Sequence, residues 1–195
     1  MSGLRERKKE RTLRELEEAA HRLFRERGYE QTTVEDIAEV VGVSARTFFR
    51  YFDSKEAVLL GDWRAQLGAV QELLRERPPD ESLLDTARAL ALGIATMMEA
   101  DRERHRFVKV IVASSPRAGD YERTVLLPEF EATIIDALAA RLQVDPGQDM
   151  RPALAASVGI AAMHTAKLRW TMDEAASLIL LVNEAFDAME GILRS

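Results

Sequence analysis

The apolar residues of this 195-residue chain recur at helical spacing, in runs cut by Gly, Pro and potential capping Ser or Thr residues. Leu13, Leu16, Ala20, Leu23 and Phe24 stand at offsets 0, 3, 7, 10 and 11, one face of a 3.6-residue period. Val34, Ile37, Ala38 and Val41 repeat it at 0, 3, 4 and 7. No stretch alternates with the period of two that a half-buried strand needs. The pattern therefore predicts an all-α chain whose helices bury one stripe each.

The punctuation sets the expected boundaries. A first helix runs from about Lys8 to Arg27 and stops at Gly28, where a left-handed residue is wanted. Thr32 and Thr33 offer N-caps for a short helix that ends at Gly42, and Ser44 caps the next, Ala45 to about Tyr51. Ser54 caps a long helix, Lys55 to about Arg77, closed by Pro78-Pro79. Further helices are expected over Leu83–Met98, Asp101–Ala113, a stretch ending near Leu142, a helix ending near Trp170, and Asp173 to the end. The segment Ser114–Asp120 reads as a turn. Pro128 is either in the first turn of its helix or a kink within it.

Composition narrows the chemistry. No cysteine means no disulfide scaffold, thiol nucleophile or Cys-ligated metal. No apolar run approaches the ~20 residues of a membrane span, and the N-terminus lacks the apolar stretch of a secretory signal; a soluble, cytoplasmic protein is expected. Phosphate-loop, GxSxG and HExxH signatures are missing, and Glu18 with His21 is a single ExxH. We therefore expect no enzyme activity, no cofactor and no metal. The formal net charge of −6 is uneven: residues 1–60 hold 12 basic and 12 acidic groups, so the remainder carries the excess. Arg5, Arg7, Lys8, Lys9, Arg11 and Arg14 cluster at the start, which suggests a polyanion partner for the head.

Two short helices joined by Gly42-Val43-Ser44 form a helix-turn-helix pattern. In such a motif the second helix enters the major groove with its N-terminal residues at the base edges. Arg46 and Thr47 fall there, and an arginine at that place can pair with guanine in bidentate fashion. The segment Glu18–Leu59 carries Leu23-Phe24, Gly28-Tyr29, Thr32-Thr33-Val34, Asp36-Ile37-Ala38, Gly42-Val43-Ser44, Thr47, Tyr51-Phe52 and Ser54-Lys55-Glu56 in order. In these residues the chain resembles the TetR family of transcriptional regulators. The resemblance implies phosphate contacts by Thr33, Ser44, Tyr51 and Lys55, groove contacts by Arg46 and Thr47, and a helix-turn-helix domain over 1–54. Many members place Tyr where this chain has Phe49; Arg50 beside it can supply charge to the backbone instead.

For residues 55–195 the resemblance implies a helical ligand-binding and dimerisation domain. The last two predicted helices are apolar over wide arcs, and the first of them is rich in small residues. Ala155, Ala162, Ile179, Val182, Phe186 and Met189 are the candidate dimer contacts. Trp63, Met97, Met98, Phe107, Ile111, Phe130, Met163 and His164 are the candidate ligand contacts, and each is also what a plain core would use. His164 reads as a satisfied buried histidine or a ligand contact. The layout is also similar to actinobacterial members that regulate mycofactocin gene clusters, a subgroup associated with acyl-CoA-like ligands. Arg102, Arg104, Arg106 and Lys109 are either a solvated face or a partner for anionic phosphates. The expectation is a homodimeric regulator, a repressor released from a palindromic double-stranded operator by a mainly apolar small molecule. A helical enzyme or small-molecule carrier keeping the head as a structural domain, a ligand-independent regulator and an activator would share much of this pattern.

Overall fold

The computed structural model describes residues 2–194, with the side chains of residues 7–61 and 66–192. Among the described residues every regular element is helical: α1 (Ser2–Arg27), α2 (Val34–Val41), α3 (Ala45–Phe48), α4 (Lys55–Leu59), α5 (Asp62–Glu76), α6 (Leu83–Ala100), α7 (Arg102–Ser114), α8 (Pro116–Tyr121), a π-helical turn (Glu122–Leu126), α9 (Leu127–Leu142), α10 (Arg151–Met172) and α11 (Leu178–Arg194). No helix among the described residues is long and apolar enough to cross a membrane.

Local chemistry explains most boundaries. Thr33, Ser44, Ser54 and Ser82 each accept a backbone N–H three residues on, which satisfies one of the donors a helix start leaves open. Gly42 closes α2 at φ +72°, a left-handed conformation that a side chain would strain.

Several boundaries differ from expectation; α1 starts at Ser2 rather than about Lys8, and α3 ends at Phe48 rather than about Tyr51. The helix expected from Lys55 to Arg77 breaks at Leu60-Gly61. Gly61 is buried, and a Cβ there would stand 2.6 Å from a Glu17 carboxylate oxygen on α1. The segment expected as a turn instead ends α7 and starts α8: Ser115 is the N-cap, and Pro116 sits at a helix start, where its missing N–H costs nothing. The last helix begins at Leu178 rather than near Asp173, with the Leu178 N–H donated to the Glu99 carboxylate on α6. Pro128 lies in the first turn of α9.

The chain forms two compact units, one of Met1–Gly61 with Val110–Glu122 and one of Asp62–Lys109 with Arg123–Ser195. In the first, Leu16, Leu23, Phe24, Ile37, Phe48, Phe52 and Val58 are buried, and His21 lies edge-on to Phe24 at 6.2 Å. In the second, α6 packs against α5, α10 and α11, and Leu90, Ile94, Met98, Leu138, Trp170, Val182 and Phe186 fill one core.

That core takes up four of the six expected dimer contacts. Val182 and Phe186 are fully buried within the chain, Ala155 and Ala162 nearly so, and Ile179 and Met189 pack against them. The surfaces of Val182, Phe186, Ala155 and Ala162 are already taken by the chain's own helices, whereas Ile179 and Met189 are only half-buried. Among the described residues, the exposed large apolar side chains on α10 and α11 are Leu154, Leu168, Met172, Leu180 and Ile192. A helical wheel measures the width of an apolar arc but not which half of it meets the chain's own core.

The arginine-rich start of α7 is also redefined. Arg106 donates to the Trp170 carbonyl at 3.0 Å and the Asp173 carbonyl at 2.8 Å, and Arg102 donates to the Ala176 carbonyl. Both guanidinium groups lie over the buried Trp170 ring, 5.1 Å away for Arg102 and 5.6 Å for Arg106. Arg106 serves carbonyls at the C-terminus of α10, where a cation suits the helix dipole, and Arg102 serves one in the segment between α10 and α11. They are neither a solvated face nor a ready phosphate site.

Candidate nucleic-acid interface

The site is built around the turn between α1 and α2. Gly28 takes φ +88° and lets the chain leave α1. The buried Thr32 hydroxyl donates to the Gly28 carbonyl at 2.8 Å, closing the loop on itself. Lys55, the first residue of α4, donates from Nζ to the carbonyls of Tyr29 and Thr32 at 2.7 and 3.1 Å. The Tyr29 hydroxyl donates to Glu56 Oε1 at 2.8 Å. The loop before α2 is thus tied to the start of α4 by two adjacent residues.

Electrostatics follow from this packing. Burial, then the hydrogen bond and charge of Glu56, push the Tyr29 phenol far above its ordinary range. Burial opposes ionisation of Glu56, but its own backbone N–H, Tyr29, Ser54 and Lys55 outweigh it and hold the carboxyl below its usual value.

Thr33 opens α2 with a capping box. Its hydroxyl accepts the Asp36 N–H at 3.1 Å, and Asp36 Oδ2 receives the Thr33 N–H at 2.8 Å and the Thr33 hydroxyl at 2.5 Å. These bonds, with Arg27 3.5 Å from the carboxylate, hold Asp36 below the usual carboxylate range. The Thr33 hydroxyl proton is already committed, so a phosphate here would meet backbone N–H groups or displace Asp36.

Ser44 caps α3, and its hydroxyl lies 3.0 Å from that of Thr47. Behind α3, Phe48 and Phe52 are buried with ring centres 5.6 Å apart. This anchor turns Arg46, Phe49 and Arg50 outward; all three are exposed. Thr47 and Tyr51 are half-buried, and the Arg50 guanidinium lies 5.3 Å from the Tyr51 ring centre. The structure therefore gathers Ser44, Arg46, Thr47, Arg50 and Tyr51 along α3 and at its two ends. Of the N-terminal basic run, Arg11 and Arg14 pair with Glu15 and Glu10 along α1, and the Arg5 side chain lies outside the described residues.

A short α2, a left-handed glycine and a capped α3 whose first turn projects an unencumbered arginine make a helix-turn-helix. A family model described as bacterial regulatory proteins of the tetR family matches residues 16–61, and one described as the MftR C-terminal domain matches residues 81–194. The chain belongs to the TetR family. A protein of Mycobacterium tuberculosis named as a mycofactocin biosynthesis transcriptional regulator, MftR, is 30% identical over 183 residues, covering 94% of this chain and 91% of that one. The regulator TcmR of Streptomyces glaucescens is 37% identical over 175 residues, covering 86% and 76%. Among solved structures, FadR of Bacillus subtilis, described as bound to stearoyl-CoA, superposes with a TM-score of 0.58 at 20% identity over 89% of this chain and 95% of that one, which speaks for the fold. As a TetR-family member this chain is a DNA-binding transcriptional regulator and not an enzyme.

The TetR head holds residues that sequence reasoning passed over. In the sequence, Tyr29 and Glu56 stand out only as members of the TetR-like motif, because their partnership spans 27 positions. Phe49 was visible only as a tyrosine's replacement.

The predicted ligand residues do not converge. Met98 is in the core of the second unit, with Phe130 and Met163 packed against it. Met97 and Phe107 are half-buried, while Ile111 belongs to the first unit. His164 is exposed, contrary to a buried reading, because it falls on the outward stripe of α10 between Ala161 and Leu168. The Trp63 side chain lies outside the described residues. A shallow cavity of about 520 Å³ lies elsewhere, lined by Val144, Asp145, Gln148, Asp149, Met150, Arg151 and Leu154.

Proposed function

We propose that this TetR-family regulator is a homodimeric repressor that occupies a palindromic operator in the cytoplasm and leaves it when a small molecule binds the second unit. The observation that carries the DNA arm is the exposed first turn of α3, with Arg46 in solvent beside the Ser44–Thr47 hydroxyl pair. An arginine so placed suits the O6 and N7 of guanine. Residues 1–54 supply the DNA contacts, with Thr33 and Tyr51 as backbone neighbours of the groove-facing pair, while Lys55 holds the turn ahead of α2.

The dimer arm is supported by the exposed apolar stripe. Leu154, Leu168 and Met172 recur at 14 and 18 positions along α10, and Leu180 and Ile192 lie on the adjoining α11. Apolar residues gathered on two neighbouring helices suit a two-fold self-contact.

The ligand arm draws on the family's solved folds. FadR proteins of Bacillus subtilis and Thermus thermophilus are described with stearoyl-CoA and lauroyl-CoA. An acyl chain with an anionic head is accordingly the inducer class we assign, with Met98, Phe130 and Met163, all in or against the second unit's core, as candidate apolar contacts. The test is an anisotropy titration of operator DNA with a series of acyl-CoAs of increasing chain length. Release by one chain-length range is expected, with a coupling of about 1–3 kcal/mol, roughly 5–150-fold. If no acyl-CoA or fatty acid moves the titration, a ligand-independent regulator replaces this reading.

A further inference from the structure

Phe49 is the one large apolar residue on the outward side of α3 that the described head leaves uncovered: half of it is exposed, while Phe48 next to it is fully buried. Exposed aromatic surface costs free energy in water unless a partner covers it. Its position is fixed from behind. The Phe49 N–H is bonded to the Ala45 carbonyl at 3.0 Å, and its ring stands edge-on to Phe48 at 85° with centres 5.6 Å apart. Phe48 is locked in the core, so the ring it supports is presented rather than loose. Arg46 precedes Phe49 by three residues and therefore shares its helix face. Arg50 follows, exposed, with its guanidinium turned towards Tyr51.

We propose that Phe49 is a specificity residue that reads a thymine, its ring covering the C5-methyl group of one thymine in each operator half-site. This rests on the head acting as a DNA reader through α3. The chemistry selects the partner. A phenyl ring has no donor for a phosphate oxygen, and the major-groove edge offers one apolar feature, the thymine methyl. A guanine contact by Arg46 and a methyl contact by Phe49, less than a helical turn apart, give each half-site a guanine and a thymine within a few base pairs.

The test starts from a duplex selected by the full-length protein from random sequence. Each thymine of the half-site is replaced in turn by deoxyuridine, which keeps every hydrogen-bonding group and removes only the methyl. At one thymine per half-site the wild type is expected to lose affinity about fifteenfold, since a buried methyl is worth roughly fourfold and two half-sites change together. Phe49→Ala should bind the thymine operator more weakly and lose the thymine–uracil difference at that position alone. Phe49→Tyr, which keeps the ring, should retain it. Because Phe49 is on the surface, its variants should melt like the wild type. Wild-type indifference to uracil at every position overturns the proposal, as does Phe49→Ala discriminating like the wild type. An equal loss by Phe49→Ala on both duplexes also overturns it and places the ring on sugar or backbone. If selection yields no preferred duplex, the operator reading fails and this assignment falls with it.

Discussion

Lys55 Nζ donates to the Tyr29 carbonyl at 2.7 Å and lies 4.1 Å from the centre of the same residue's ring. With the Thr32 carbonyl as second acceptor, two of the ammonium's three donors serve the turn ahead of α2. One side chain therefore fixes how α2 starts, and α2 carries α3.

We expect Lys55→Met to act through that turn. A hydrogen bond to a charged group is worth about 1.5–3 kcal/mol, and losing it should lower the melting temperature. Operator affinity should fall on every sequence, while the slope of log affinity against log salt stays as in the wild type. A direct phosphate contact would instead reduce that slope by about 0.9. Melts and a salt series of anisotropy titrations decide between the two.

Tyr29 and Glu56 make the head's stability depend on alkaline pH. The phenol is raised by burial first and by Glu56 second, so the unfolded chain ionises before the folded one. Stability from this group is fully present below the ordinary value of 10.0 and is lost as pH climbs from there towards the folded value. Tyr29→Phe should be less stable than wild type at neutral pH by about 1 kcal/mol. The gap should narrow above pH 10. Urea unfolding at pH 7 to 11 measures it, and a gap that does not change with pH would contradict the assignment.

Arg46→Ala should cost about 1–3 kcal/mol of operator binding and relax selectivity at one base pair. Arg50→Ala, if it serves the backbone, should weaken all duplexes alike. Competition titrations against single-base operator variants separate these outcomes, and unchanged affinity for Arg46→Ala would remove it from base readout.

Two classes of substitution in α10 and α11 should behave oppositely. Phe186→Asp places a charge in a closed core and should unfold the second unit. Leu168→Asp and Leu180→Asp alter exposed positions and should leave the melt of the single chain intact while dissociating the dimer. Sedimentation should show about 44 kDa for wild type, twice the 21.9 kDa chain, and about 22 kDa for the surface variants. A wild-type monomer at micromolar concentration would end the dimer reading.

The all-helical class, the caps at Thr33, Ser44 and Ser54, the left-handed Gly28 and Gly42, and the family of the head were all legible in the sequence, because each depends on residues within one or two helical turns. So was the outward placement of Arg46, which follows from the apolar phase of Phe48 and Phe52. Contacts between residues far apart in the chain were not. Lys55 bonding to a carbonyl 26 positions back, Arg106 reaching the end of α10 and the close approach of Gly61 to Glu17 all depend on which helix lies beside which. The same limit governed the apolar arcs of α10 and α11. Hydrophobicity in sequence marks every face that avoids water, and only packing divides those faces between the chain's own core, where Val182 and Phe186 went, and the surface left to a partner, where Leu168 and Leu180 remain.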